Sequence, residues 1–141
     1  MEPSDLRDNY KQQKYRKASV FLGEKDCSHI YSLYLTTYIQ NSVPGPKPIF
    51  QLSYAVNSSD NFRMVQPKTN RSKHKKIDKA IIEKFESGDI LTLEEEKRAR
   101  LQVKFLQGNV DISDGHYKGA IKFYKGLKTK DGKTLWDLRS G

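Results

Sequence analysis

The chain has a single cysteine, Cys27, and three widely separated histidines in 141 residues, and each scarcity removes a class of chemistry. A lone cysteine excludes an internal disulfide and a cysteine-based zinc site, and it points to a reducing compartment, cytosolic or nuclear. His29 lies two residues from Cys27, which on a strand would set thiol and imidazole on one face, but a buried or idle thiol is the better reading. No apolar run approaches the ~20 residues of a membrane span, and the amino terminus lacks a signal peptide's apolar core. Glycine-rich phosphate loops, the RNA-recognition consensus, zinc fingers and basic-zipper repeats are all missing. Asp111, Asp114 and His116 cluster closely enough to hold a cation or begin a nuclease site, yet Asp and Gly in that loop are ordinary turn formers. His74 sits among lysines, which disfavour its charged form. The sequence therefore predicts no catalytic residue, no metal site and no cofactor.

What is present is positive charge. Twenty-six Lys and Arg against 17 Asp and Glu leave a formal charge of +9, large enough on a small domain to favour a polyanionic partner. The excess is patched: Arg7 to Lys17 is net +4, while Lys68 to Lys79 and Lys118 to Lys133 are each net +5. The remainder of the chain is consequently acidic. Eight Tyr, six Phe and Trp136 argue against wholesale disorder, since disordered chains are poor in aromatics.

The stretch from Lys68 to Phe85 feeds a basic tract into an amphipathic pattern, with apolar residues at Ile77, Ala80, Ile81 and Phe85 and a stop at Gly88. It predicts a helix over 77–86. A second helix over 93–107 follows from the capping box that opens at Thr92 and closes at Glu95. Its apolar residues form two stripes, Ala99, Val103 and Leu106 against Leu101 and Phe105, which a second subunit would explain by covering one of them. Elsewhere the pattern reads as extended. Residues 30–39 alternate Tyr31, Leu33, Leu35, Thr37 and Ile39 against a polar-aromatic face, and 49–56 alternate Phe50, Leu52, Tyr54 and Val56. A hairpin partner follows at 62–66. Residues 117–124 alternate again, and Asp131-Gly132 predicts a type I′ hairpin turn leading into a strand at 133–139. The expectation is a basic arm over 1–17 and one α+β domain over 18–141, with a small antiparallel sheet carrying two central helices.

Lysines interleaved with tyrosines predict a non-catalytic nucleic-acid-binding protein, with RNA favoured over DNA, gripping phosphates and stacking on unpaired bases. The expected contacts are Lys73, Lys75, Lys76 and Lys79; Lys118, Lys122 and Tyr124; Lys130 and Lys133 at the turn; and Lys14, Arg16 and Lys17 in the arm. The alternative is a small interaction or self-assembling protein, of the phage or viral accessory kind, that meets an acidic partner surface and self-associates through the 93–107 helix.

Overall fold

A computed structural model describes residues 26–44, 49–65, 69–109, 112 and 114–136. A short strand, β1 (Asp26–His29), leads into helices α1 (Leu33–Asn41) and α2 (Ile49–Val56). A single 3₁₀ turn, Ser59–Asn61, then turns the chain into β2 (Phe62–Val65). Three longer helices complete the order: α3 (Thr69–Ser87), α4 (Leu93–Gln107) and α5 (Asp114–Gly126). The molecule is helical, and the expected sheet-based α+β fold is overturned.

Among the described residues the extended pairing is one antiparallel ribbon, β1 with β2, running from Asp26 opposite Val65 to His29 opposite Phe62. Residues 30–39 and 49–56, expected as strands, form α1 and α2. Residues 117–124 lie inside α5, and 133–136 form no strand, while 137–139 fall outside the described residues. The 62–66 expectation survives only as β2, paired with β1 and not with 49–56. The 1–17 arm also lies outside the described residues.

Local chemistry explains α1. The Ser32 side chain caps the helix by accepting from the Leu35 amide at 3.1 Å. Two β-branched residues that would favour a strand are accommodated because their hydroxyls bond back into the helix, Thr36 to the Ser32 carbonyl at 2.7 Å and Thr37 to that of Leu33 at 3.0 Å. Tyr31, Leu35 and Ile39 are all buried. They recur every fourth residue, so they fit a helix face and a strand face equally well.

Of the two central helices, α4 forms with the expected bounds, while α3 starts eight residues before the expected 77–86 helix, at Thr69. Thr92 and Glu95 close the capping box on α4, with the Thr92 amide 2.9 Å from the Glu95 carboxylate and the Glu95 amide 3.2 Å from the Thr92 hydroxyl. Gly88 ends α3 with φ +78°, a left-handed conformation that other residues resist. The first apolar stripe of α4, Ala99, Val103 and Leu106, is buried; of the second, Phe105 is buried with its ring centroid 6.2 Å from that of Tyr31, while Leu101 stays half-buried.

α1 packs against both α3 and α5, and α4 crosses α3. α5 packs closely at Gly119, where a Cβ would fall 3.3 Å from Ile39 Cγ2 of α1 and 2.7 Å from Val43 Cγ2 just after it. Aromatic rings join the layers: Phe85 of α3 meets Phe123 of α5 at 4.6 Å between centroids, and Tyr124 meets Trp136 at 6.5 Å.

Candidate nucleic-acid interface

Two buried polar clusters determine which residues remain for the surface. In the first, Asp78 of α3 accepts a two-pronged bond from Arg98 of α4, Nε to Oδ1 at 2.9 Å and Nη2 to Oδ2 at 3.0 Å. Gln102 donates to Asp78 Oδ1 at 2.9 Å and to the Ile30 carbonyl at 3.1 Å, and its own carbonyl accepts from the Tyr124 hydroxyl at 2.8 Å. Arg98 also reaches the His29 carbonyl at 3.2 Å. One carboxylate thus ties together α3, α4 and the chain after β1, and through Gln102 it reaches α5. Among the described residues no buried side-chain nitrogen or oxygen lacks a partner, as a polar group sealed from water requires.

Tyr124 belongs to this cluster and is 0% exposed, so it cannot stack a base. Its expected place in the site is corrected on that ground. Burial pushes its hydroxyl well above the usual phenol range, and the nearby Tyr31 and Asp78 add to the rise.

The second cluster is built on His116. Its Nε2 lies 2.7 Å from the Tyr31 hydroxyl and its Nδ1 lies 2.8 Å from Gln40 Oε1. A neutral ring protonated at Nδ1 satisfies both, donating to Gln40 and accepting from Tyr31. Burial lowers its pKa to about 4. This arrangement turns His116, in the first turn of α5, into the core, while Asp111 lies outside the described residues. His29 is likewise engaged, with Nε2 3.0 Å from Asn57 Oδ1. Among the described residues no three metal-capable side chains come together.

The expected lysines are on the surface, in three groups. On α3, Lys73, Lys75, Lys76 and Lys79 are exposed. Lys75, Lys76 and Lys79 fall within about 100° of helix arc. Lys73 faces elsewhere and pairs with Glu94 at 3.3 Å. Lys79 lies over the ring of Tyr34, 5.8 Å from its centroid, within cation–π range. Glu83 and Glu86 are exposed on the same arc farther along, so the face changes sign midway.

On α5, Lys118 and Lys122 are exposed as expected, and Lys125 joins them. Their spacing, i, i+4, i+7, puts all three within about 60° of arc. Asp114, the first residue of α5, stands one turn before Lys118, and no acidic residue follows it to Gly126. Lys130 and Lys133 flank a turn in which the Gly132 amide bonds the Thr129 carbonyl at 3.1 Å, with φ +75° at Gly132. No hairpin strands extend from it, because Lys128 bridges instead to Ile90 in parallel. The Asp131 carboxylate accepts from the Thr129 hydroxyl at 2.7 Å and the Lys133 amide at 3.0 Å; these bonds, with nearby Lys133 and Arg100, hold its pKa below the usual range. The Asp131 charge offsets part of the lysine crowding at the turn. Lys14, Arg16 and Lys17 lie outside the described residues.

Sequence reasoning missed Lys125, the exposed α4 row Lys97, Arg100 and Lys104, and Tyr34. Reading 114–126 at helical spacing would have found Lys125. A shallow groove of about 190 Å³ lies between α3 and the start of α4, but Glu94 and Glu95 share its lining with Lys73 and Lys76. Carboxylates in that position repel a phosphate.

No helix among the described residues is long and apolar enough to cross a membrane. No protein-family model matches the chain, and comparison with curated proteins and with solved structures finds no similar one.

Proposed function

We propose that this protein binds nucleic acid, RNA in preference to DNA, through phosphate contacts from lysine rows on its helices. The observation that carries the reading is the α5 stripe of Lys118, Lys122 and Lys125, three exposed lysines within about 60° of helix arc. Such a stripe repels itself, and a polyanion relieves the repulsion while releasing its own counterions. Lys75 and Lys76 add to this in the second turn of α3, beside Lys73, which pairs with Glu94 at 3.3 Å. Titration of a fluorescent single-stranded RNA at several salt concentrations tests it. Lys118→Ala/Lys122→Ala/Lys125→Ala should flatten the slope of log affinity against log salt by roughly two to three, because three phosphate contacts are removed. Alanine suits the helix, so the fold should hold. An unchanged slope and affinity would make the stripe a solvated face only. We further propose a reducing compartment, cytosolic or nuclear, on the strength of the single Cys27.

A second reading, an acidic protein partner, draws on Ile90 and Leu93, which are 52% and 67% exposed at the α3–α4 connection close to Lys97. It predicts that the parent protein fails to bind RNA even at low salt.

A further inference from the structure

We infer that the seam between α1 and α3 is a single-strand site, in which Tyr34 stacks an unpaired base while Lys79 and Lys75 take the flanking phosphates. The inference rests on the nucleic-acid reading and specifies its ligand as unpaired, since a base inside a duplex offers no free face to stack on. Tyr34 is 37% exposed on α1, and the Lys79 ammonium is 5.8 Å from its ring centroid. Lys75 stands one turn earlier on the same side of α3 and is also exposed. An aromatic face beside two cations one turn apart is the pairing that single-strand binders use: the ring holds the base, and the ammonium groups follow the backbone.

The neighbourhood also gives the site a direction. Tyr38 lies one turn beyond Tyr34 and packs on Phe123 with ring centroids 5.9 Å apart. Glu83 and Glu86 follow Lys79 along the same exposed face of α3, and the Tyr38 pKa is raised by burial and by the charge of Glu86. A phosphate is thus repelled at the Tyr38 end and attracted at the Lys75 end. Stacking belongs to Tyr34, and the strand leaves toward the amino end of α3. Nothing in the packing requires a tyrosine at 34: Tyr31, Leu35 and Ile39 hold α1 in the core without it.

The test compares Tyr34→Phe, Tyr34→Leu and Lys75→Ala/Lys79→Ala in the full chain. Binding is titrated on a short single-stranded RNA, the same sequence as single-stranded DNA, and an RNA duplex. Tyr34→Leu keeps apolar bulk on the seam but removes the π face. It should weaken both single strands by about 5- to 100-fold with the salt slope unchanged, and leave the duplex alone. Tyr34→Phe should bind as the parent does. The double lysine variant should lower the slope by about 1.4 on the single strands and by no more than about 1.8 on the duplex. Equal loss on RNA and DNA strands would show base stacking alone, and a larger loss on RNA would add a ribose hydroxyl contact; both support the site. If the parent binds and the lysine variant loses slope while Tyr34→Leu equals the parent, the stacking site is overturned and the phosphate reading stands. Equal weakening of duplex and single strands by Tyr34→Leu also overturns it. A parent that binds none of the three ligands removes the nucleic-acid reading itself.

Discussion

Tyr124 and His116 show how a side chain's chemistry is decided by its surroundings. Tyr124 has the ring of a base-stacking residue, but its hydroxyl is committed to Gln102 at 2.8 Å within the core. Tyr124→Phe should cost about 1–3 kcal/mol by leaving a buried acceptor short of its donor, and should leave nucleic-acid affinity at the parent value; chemical denaturation and an RNA titration check the two halves. His116 makes a pH prediction. Its pKa is lowered from 6.5 to about 4 by burial, so between those values the unfolded chain binds the extra proton. Stability from this group is therefore fully present above about pH 6.5, is lost as pH falls, and levels off below about 4, by about 3 kcal/mol in all. Denaturation at a series of pH values should show the fall in the parent. In His116→Gln the step between pH 6.5 and 4 should be smaller, since the titrating ring is gone.

At the scale of the element, α1 and α2 explain why the strands were misread. Tyr31, Leu35 and Ile39, like Leu52 and Val56, are spaced by four, the one interval shared by a strand's period of two and a helix's 3.6. What separates the cases lies in the polar residues: Ser32 at the cap position, and Gln40 and His116 buried as partners at 2.8 Å across 76 residues of sequence. The first signal is local and could be read; the second requires the tertiary structure. α3 and α4 were legible because both carry end signals, Gly88 for one and the Thr92–Glu95 box for the other. At the candidate site the exposed lysines were legible from charge alone, whereas Tyr34 and Lys125 needed the correct helix face. The α3–α4 contact makes its own prediction. Arg98→Met should cost about 3–5 kcal/mol by stranding the buried Asp78 carboxylate, and the paired Asp78→Leu/Arg98→Met should cost less than the single change. Equal losses in urea melts would count against the ion pair.

For the whole molecule, an excess of +9 sets two quantities moving in opposite directions with salt. Screening shortens from roughly 10 Å at 0.1 M to 3 Å at 1 M. The free protein should melt at a higher temperature as lysine–lysine repulsion is screened, while its affinity for RNA falls. Calorimetry and binding on one salt series should give slopes of opposite sign. The same sign in both would place the lysines too far apart to sense one another.

The bonds that fasten residues 29–31 to the helices also bear on the order of folding. They join positions 69, 72 and 85 apart, whereas Asp78 and Arg98 are only 20 apart. Closing the longer loop costs about 1 kcal/mol more than closing the shorter, so α3 and α4 can dock first and the amino-terminal segment is captured late. Weakening that capture, as in Tyr31→Phe, should then speed unfolding while leaving the refolding rate close to the parent's. Substitutions at Arg98 should slow refolding instead, and stopped-flow traces in urea would separate the two.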